Sequence, residues 1–299
     1  MVKIQENIIL APMTSWLVGG PAEFFCLPEK VEEIQEAQSW AQIKGLPVQV
    51  LGGGTNVLIS DQGIRGLTIC LKNFSGLKAQ ETHERLTIEA LSGTSKSELL
   101  KTFLKYKLGP ALFLAGIPGD IGGGVAMNAG VGEMITPREF VEITDWIDVL
   151  RPNGEIVRLQ KDQLKWDYRH CSGWQPGIIL KVGLSYPLNP DPTILDQVKQ
   201  ANKIRLSKQP LDMPSCGSVF VNPPAETGYK AAQLIDSSGL KGFTIGRAQV
   251  SMKHANFIVN TGGATAKQIW QVITHVQQVV LEKTGVQLKT EVLRLGEWK

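Results

Sequence analysis

The sequence predicts an α+β fold of more than one domain, and three observations carry that expectation. Strand-like runs outnumber helical runs and do not alternate strictly with them, which argues against a doubly wound α/β sheet. The chain has 299 residues, about twice the roughly 150 of a common single domain. Its texture changes after Asn189-Pro190-Asp191-Pro192, a polar, proline-rich stretch that suits a boundary.

In chain order, the first helical pattern covers 29–44. Pro28 precedes it, Val31, Ile34, Ala37 and Ala41 share one side, and Gly45-Leu46-Pro47 stops it. A short strand at 48–51 runs directly into Gly52-Gly53-Gly54-Thr55-Asn56, and further strands are expected at 64–71 and 86–91. A helix over 95–108 opens on a capping box of Ser95 with Glu98, carries Leu99, Leu100, Phe103, Leu104 and Leu108, and ends at Gly109. The stretch 116–132 holds seven glycines and reads as ordered loop rather than helix, because interior glycine is costly to a helix. A hairpin around Pro152-Asn153-Gly154 is expected over 141–160, then a strand at 177–188. Beyond the boundary come a helix at 193–206 and short strands at 217–221, 242–250 and 256–260. A helix at 265–283 puts Ile269, Val272, Ile273, Val276, Val279 and Val280 on one face and closes at Gly285. The last strand, 286–295, can return to either domain.

Composition removes several function classes. Lys and Arg total 31 against 28 acidic residues, and the net +3 gives no global field for nucleic acid or an anionic membrane. No apolar run is long enough for a spanning helix, and no basic segment precedes the first apolar one as a signal peptide requires. Cys26, Cys70, Cys171 and Cys216 form no C-x-x-C pair, so reduced thiols and a cytoplasmic location are expected rather than zinc or disulfides. Four histidines without H-E-x-x-H argue against a catalytic metal. Walker A, G-x-G-x-x-G and G-x-S-x-G patterns are all missing.

Glycine accounts for 31 of 299 residues, above the usual share of about 7%. Ten of them fall at 52–54 and 116–132. Glycine loops leaving strands present backbone N–H groups with no Cβ in the way, which suits phosphate oxygens. The alternative is that they only let packed segments approach and turn. Residues 201–260 hold seven Lys or Arg against three acids. That surplus points to an anionic ligand near Arg205, Lys208 and the 215–218 turn, or to a solvated surface.

Several ordered blocks then share one pattern: Thr14-Ser15-Trp16-Leu17-Val18-Gly19-Gly20, Leu51-Gly52-Gly53-Gly54-Thr55-Asn56-Val57-Leu58-Ile59, Gly116-Ile117-Pro118-Gly119 with Gly122-Gly123, Asn128-Ala129-Gly130 and Tyr168-Arg169. The most specific is Pro214-Ser215-Cys216-Gly217-Ser218-Val219-Phe220 with Asn222-Pro223. Leu240-Lys241-Gly242, Ala248-Gln249-Val250-Ser251, Lys253-His254-Ala255-Asn256-Phe257 and Glu291 complete the series. Over essentially its whole length the chain resembles the UDP-N-acetylenolpyruvoylglucosamine reductase family. Only 49 positions separate Arg169 from Ser218, which fits the shorter subclass.

The resemblance implies a two-subdomain FAD-binding fold of the vanillyl-alcohol-oxidase (PCMH) type plus a smaller α+β substrate-binding domain. The implied division is 1–72, 73–192 with 286–299 as a candidate return, and 193–285. It implies non-covalent FAD held by Gly52, Gly53, Gly54, Thr55, Asn56, Val57, Leu58, Gly116, Pro118, Gly119, Gly122, Gly123, Asn128 and Gly130. NADPH would be the hydride donor, and UDP-N-acetylglucosamine enolpyruvate the substrate, reduced to UDP-N-acetylmuramate. Ser218 matches the family's proton donor, Arg169 the residue that holds the substrate carboxylate and stabilises the enolate, and Glu291 the third catalytic member. Tyr168, Arg205, Lys208 and Asn222 match substrate-binding positions. No metal, nucleic acid or membrane span is implied, and a monomer is expected. His254 is assigned to structure, and 52–60 carries no His or Cys for covalent flavin attachment. Thr14, Cys171, Ala232 and Arg247 depart from the family's usual Asn, Ser, Gly and Gly.

Overall fold

A computed structural model describes residues 2–132 and 135–298. The fold is α+β, in two compact units. One holds the residues up to Gln5, Phe24–Gly53 and Gly66–Ile204; the other holds Glu6–Glu23, Gly54–Arg65 and the chain from Arg205 onward. The boundaries expected at 72/73 and 192/193 follow the chain, but the units do not. Trp16, Val18 and Leu58 are buried in a core otherwise built by residues between Cys216 and Val292, which draws two early segments into the second unit.

The first unit contains an antiparallel five-stranded sheet in the order Leu77–Glu81, Arg85–Leu91, Ile178–Pro187, Thr144–Leu150, Ile156–Gln160. The expected hairpin pairs Leu150 with Ile156 across its turn. On the helix Lys96–Lys105, Ser95 accepts the N–H of Glu98 at 3.2 Å, which makes one half of the expected capping box. Leu99 and Phe103 are fully buried with Leu86, Ile88, Ile147 and Val182. The helix Val31–Ile43 buries Ile34, Ala37 and Ala41 with Leu67 and Ile69 of the parallel pair Val48–Leu51 and Ile64–Cys70. Each large aliphatic side chain so buried contributes on the order of 1.5–3 kcal/mol.

The glycine-rich stretch differs from expectation, because Ile121–Ala126 within it is a helix. Asp120 caps it by accepting the N–H of Gly123 at 2.6 Å. Gly122 lies against Ser92, and Gly124 against the Phe140 ring, where a Cβ would not fit. Close packing here outweighs the poor helix propensity of glycine.

In the second unit, Ala266–Thr284 buries Ile269, Val272, Ile273, Val276 and Val280 and ends at Gly285 with φ 72°. Its N-terminus carries a Thr265–Gln268 capping box, and Asp61 accepts the N–H groups of Ala266 and Lys267 at 2.8 and 2.9 Å. The strand Leu293–Leu295 pairs in parallel with Val57–Ile59, so the chain end returns to this unit rather than to 73–192. The strand expected at 217–221 reduces to one bridge, Phe220 with Thr290, and the one expected at 242–250 is a tight hairpin. No helix among the described residues is long and apolar enough to cross a membrane.

Gly54 has φ +64°, and a Cβ there would fall on the carbonyl oxygen of Met13. Left-handed backbone costs an L-residue roughly 1–2 kcal/mol, before any such clash. Each kcal/mol lowers Tm by roughly 2–4 °C in a chain of this size class. Gly54→Ala is therefore expected to unfold several degrees lower in calorimetry; an unchanged Tm would contradict the close approach.

Candidate active site

The two glycine loops do different work. Gly53 donates its N–H to one oxygen of Asp120, whose other oxygen caps 121–126, so one carboxylate joins the loops. A Cβ on Gly52 would strike that carboxylate, one on Gly116 would meet Val131, and one on Gly53 would lie 3.1 Å from the Cα of Gly119. The N–H groups of Gly116, Gly122, Gly123 and Gly124 are all given to protein acceptors. Those of Gly54, Thr55 and Asn56 find no acceptor among the described residues. Free donors on a Cβ-poor turn fit an anionic cofactor such as FAD, with 54–56 the best-suited donor run. Val57 and Leu58 then enter the strand paired with Leu293, and the Leu58 side chain serves the core.

Beneath the 116–124 stretch lies Lys96, 4% exposed, with Nζ donating to the Pro118 carbonyl at 2.9 Å and 5.5 Å from the Phe140 ring centre. Nothing in the sequence distinguishes this lysine from its exposed neighbours. Burial pushes its ammonium down to about 8 from 10.5; the Asp120 carboxylate opposes that shift and the Arg169 guanidinium adds to it. A depressed folded value means the lysine costs stability below about 8, and the cost recedes as pH rises toward the unfolded 10.5. The Tm of Lys96→Met minus that of the parent is accordingly expected to fall between pH 8 and 10.5. A difference that stays constant across that range would contradict the buried cation.

Arg169 stands at the tip of the hairpin made by Lys165–Asp167 and His170–Ser172, with φ +57°, strained for a non-glycine residue. Its guanidinium carbon sits 4.5 Å from the centre of the Tyr168 ring, and Nη1 is 3.3 Å from Oε1 of Glu139. Asn128, with φ 37°, donates Nδ2 to Glu139 Oε2 and to the Asp167 carbonyl, both at 3.1 Å, while its Oδ1 accepts from Val141. Gly130 bridges to Glu139, and a Cβ on it would lie 3.2 Å from Arg169 Nη1. Tyr168, Arg169, Asn128 and Gly130 thus gather in one place in the first unit. Cys171 is buried among apolar side chains, its thiol pushed up to about 12 by burial.

Ser218 and Glu291 gather in the second unit. Val219 donates to the Asn256 carbonyl at 2.9 Å, and the Asn256 side chain accepts from Phe220 N–H and donates to Phe220 O. Glu291 N–H donates to the Val219 carbonyl at 2.8 Å, so Ser218 and Glu291 are carried on adjoining segments. Asn56 Nδ2 donates to the Glu291 carbonyl at 3.1 Å, tying the glycine loop to that segment. Burial, with the Glu291 charge adding, raises the nearby Cys216 thiol well above its ordinary value, which keeps it protonated. Thr14 Oγ1 donates to the Val18 carbonyl at 2.8 Å in the turn beside Gly54, whose carbonyl accepts from Ser15.

The remaining expected residues have local roles. Arg205 Nε donates to Gln209 at 2.8 Å, and burial lowers the pKa of its guanidinium. Lys208 is exposed at the end of the same helix. Asn222 Oδ1 accepts from Ala231 N–H at the start of the helix Ala231–Ser237, and its amide N–H groups find no acceptor among the described residues. His254 packs edge-on against Phe257, and burial first and the Lys241 charge second lower its pKa. It orders the turn that presents Asn256, a structural task. Among the described residues no cluster of His, Cys, Asp or Glu suits a metal.

Comparison with known proteins adds sequence and structure kinship. Residues 22–160 match the family model for an FAD binding domain, and residues 209–295 the one for the UDP-N-acetylenolpyruvoylglucosamine reductase C-terminal domain. The chain is 40% identical over 299 residues to UDP-N-acetylenolpyruvoylglucosamine reductase of Synechococcus sp. (strain WH7803), covering 98% of this chain and 93% of that one. It is 41% identical over 302 residues to the protein of the same name from Prochlorococcus marinus (strain MIT 9313), covering 99% and 94%. The crystal structure of the Thermus caldophilus reductase superposes with a TM-score of 0.79 at 28% identity, covering 99% of this chain and all of that one. With both family models, relatives matched end to end and the fold in agreement, the chain belongs to the UDP-N-acetylenolpyruvoylglucosamine reductase family.

Proposed function

We propose that the protein reduces UDP-N-acetylglucosamine enolpyruvate to UDP-N-acetylmuramate in peptidoglycan precursor synthesis, with NADPH as reductant and FAD held non-covalently. Family membership supports the reaction, and the observation that supports its local chemistry is the pairing of 219–220 with 290–291, which carries Ser218 and Glu291 on adjoining segments. FAD, when bound, supplies hydride transfer. Gly54, Thr55 and Asn56 would hold the cofactor's phosphates through N–H groups that find no acceptor among the described residues, and the Asn56 side chain is fixed by its bond to the Glu291 carbonyl.

Hydride arriving at the terminal vinyl carbon places negative charge on the adjoining carbon and its carboxylate. Arg169 meets that charge, since a guanidinium fork matches a planar carboxylate. Ser218 delivers the proton to the adjoining carbon, and Glu291 orients the substrate or supports that delivery. A serine hydroxyl is a weak acid, so its contribution comes from placement, which the Asn256 clasp on the Phe220 backbone supports. Arg205, Lys208 and the free amide of Asn222 serve the substrate diphosphate and sugar, and Tyr168 lines the same substrate. We place the reaction in the cytoplasm and the active species as a monomer.

Purified protein is expected to show a flavin absorbance spectrum and to release FAD on denaturation. A colourless protein that cannot be reconstituted with FAD would overturn the reading.

A further inference from the structure

We propose that Glu139 is a positioning residue for Arg169: its carboxylate holds the guanidinium with one oxygen and the Asn128 amide with the other, setting the direction in which Arg169 faces the substrate carboxylate. The inference rests on the role proposed for Arg169.

Four features converge on this pair. The distances are 3.3 Å from Glu139 Oε1 to Arg169 Nη1 and 3.1 Å from Oε2 to Asn128 Nδ2. Both side chains are largely withdrawn from solvent, at 13% and 18% exposure, so the pair is less screened than a surface ion pair. Asn128 accepts from Val141 N–H at its Oδ1, and the same Nδ2 that meets Glu139 also donates to the Asp167 carbonyl, two residues before Arg169. A Cβ on Gly130 would crowd both the Glu139 Cγ and Arg169 Nη1, so glycine there leaves room for the pair.

A long arginine on a strained hairpin tip has several rotatable bonds and no intrinsic direction. Ordering it during each encounter would cost entropy. Glu139 removes much of that freedom beforehand, and its charge partly offsets the guanidinium until the substrate carboxylate arrives. A bond to Asn128 alone would need only one acceptor oxygen. Glu139 uses both, and the second reaches a residue 30 positions away.

Glu139→Ala is expected to lower kcat/KM for the enolpyruvyl substrate at least tenfold, by weakening substrate binding to the oxidised protein and slowing its reoxidation after NADPH reduction. The rate of NADPH reduction and the FAD content should stay near those of the parent. Glu139→Gln, which keeps length and one acceptor oxygen, should recover part of the loss. Substrate affinity is read separately from turnover by titrating the oxidised protein and following its flavin spectrum. Both half-reactions falling together, FAD being lost in both variants, or neither half-reaction changing would each overturn the assignment. A parent protein that the substrate cannot reoxidise would instead overturn the role proposed for Arg169 itself.

Discussion

Ser218→Ala is expected to slow reoxidation of the NADPH-reduced protein by UDP-N-acetylglucosamine enolpyruvate by about 10²–10⁴-fold, the usual worth of a placed proton donor. The reduction by NADPH should proceed at the parent rate. The expectation follows from how the residue is held. Gly217 at φ +84° turns the chain immediately before it, and Asn256 binds the backbone on both sides of Phe220 immediately after. Removing one hydroxyl from a partly exposed loop position leaves these bonds intact, so the substitution should barely move Tm. Stopped-flow absorbance separates the two half-reactions; equal reoxidation rates in variant and parent would remove Ser218 from its role.

Arg169→Met should cost about 10²–10³ in kcat/KM, comparable to removing one donor from a site that stabilises developing negative charge. Two losses combine. The substrate carboxylate loses its cation, and Glu139 is left partly buried without its partner. Arg169→Lys keeps the charge but not the planar fork, and should fall between the two. Steady-state kinetics on the three proteins give the order; Lys and Met variants that match the parent would show that the substrate carboxylate is held elsewhere.

Local patterns in the sequence carried much of the fold. The apolar stripe from Ile269 to Val280, the Ser95 cap and the turn at Pro152-Asn153-Gly154 all depend on neighbours within a few positions. The glycine-rich stretch misled for a physical reason. Gly122 and Gly124 are there to admit Ser92 and Phe140, and a helix tolerates them because those contacts compensate. The division into units was also illegible, because Trp16 reaches the Ile258 carbonyl across 242 positions and no spacing rule records such a bond. Among the residues proposed to act in the site, the motif blocks single out Arg169, Ser218 and Glu291, but not what supports them. Glu139 and Lys96 have no short-range signature, and only their partners in space give them meaning; Asp120 caps the helix that follows it, but its bond to Gly53 spans 67 positions.

Electrons are expected to pass through this protein from NADPH to the vinyl ether. The direct measurement reduces the protein anaerobically with NADPH and mixes it with UDP-N-acetylglucosamine enolpyruvate. Recovery of the oxidised flavin spectrum, with UDP-N-acetylmuramate formed in proportion to flavin, is the predicted result. A protein that stays reduced under those conditions, or is reoxidised without forming that product, would contradict the account.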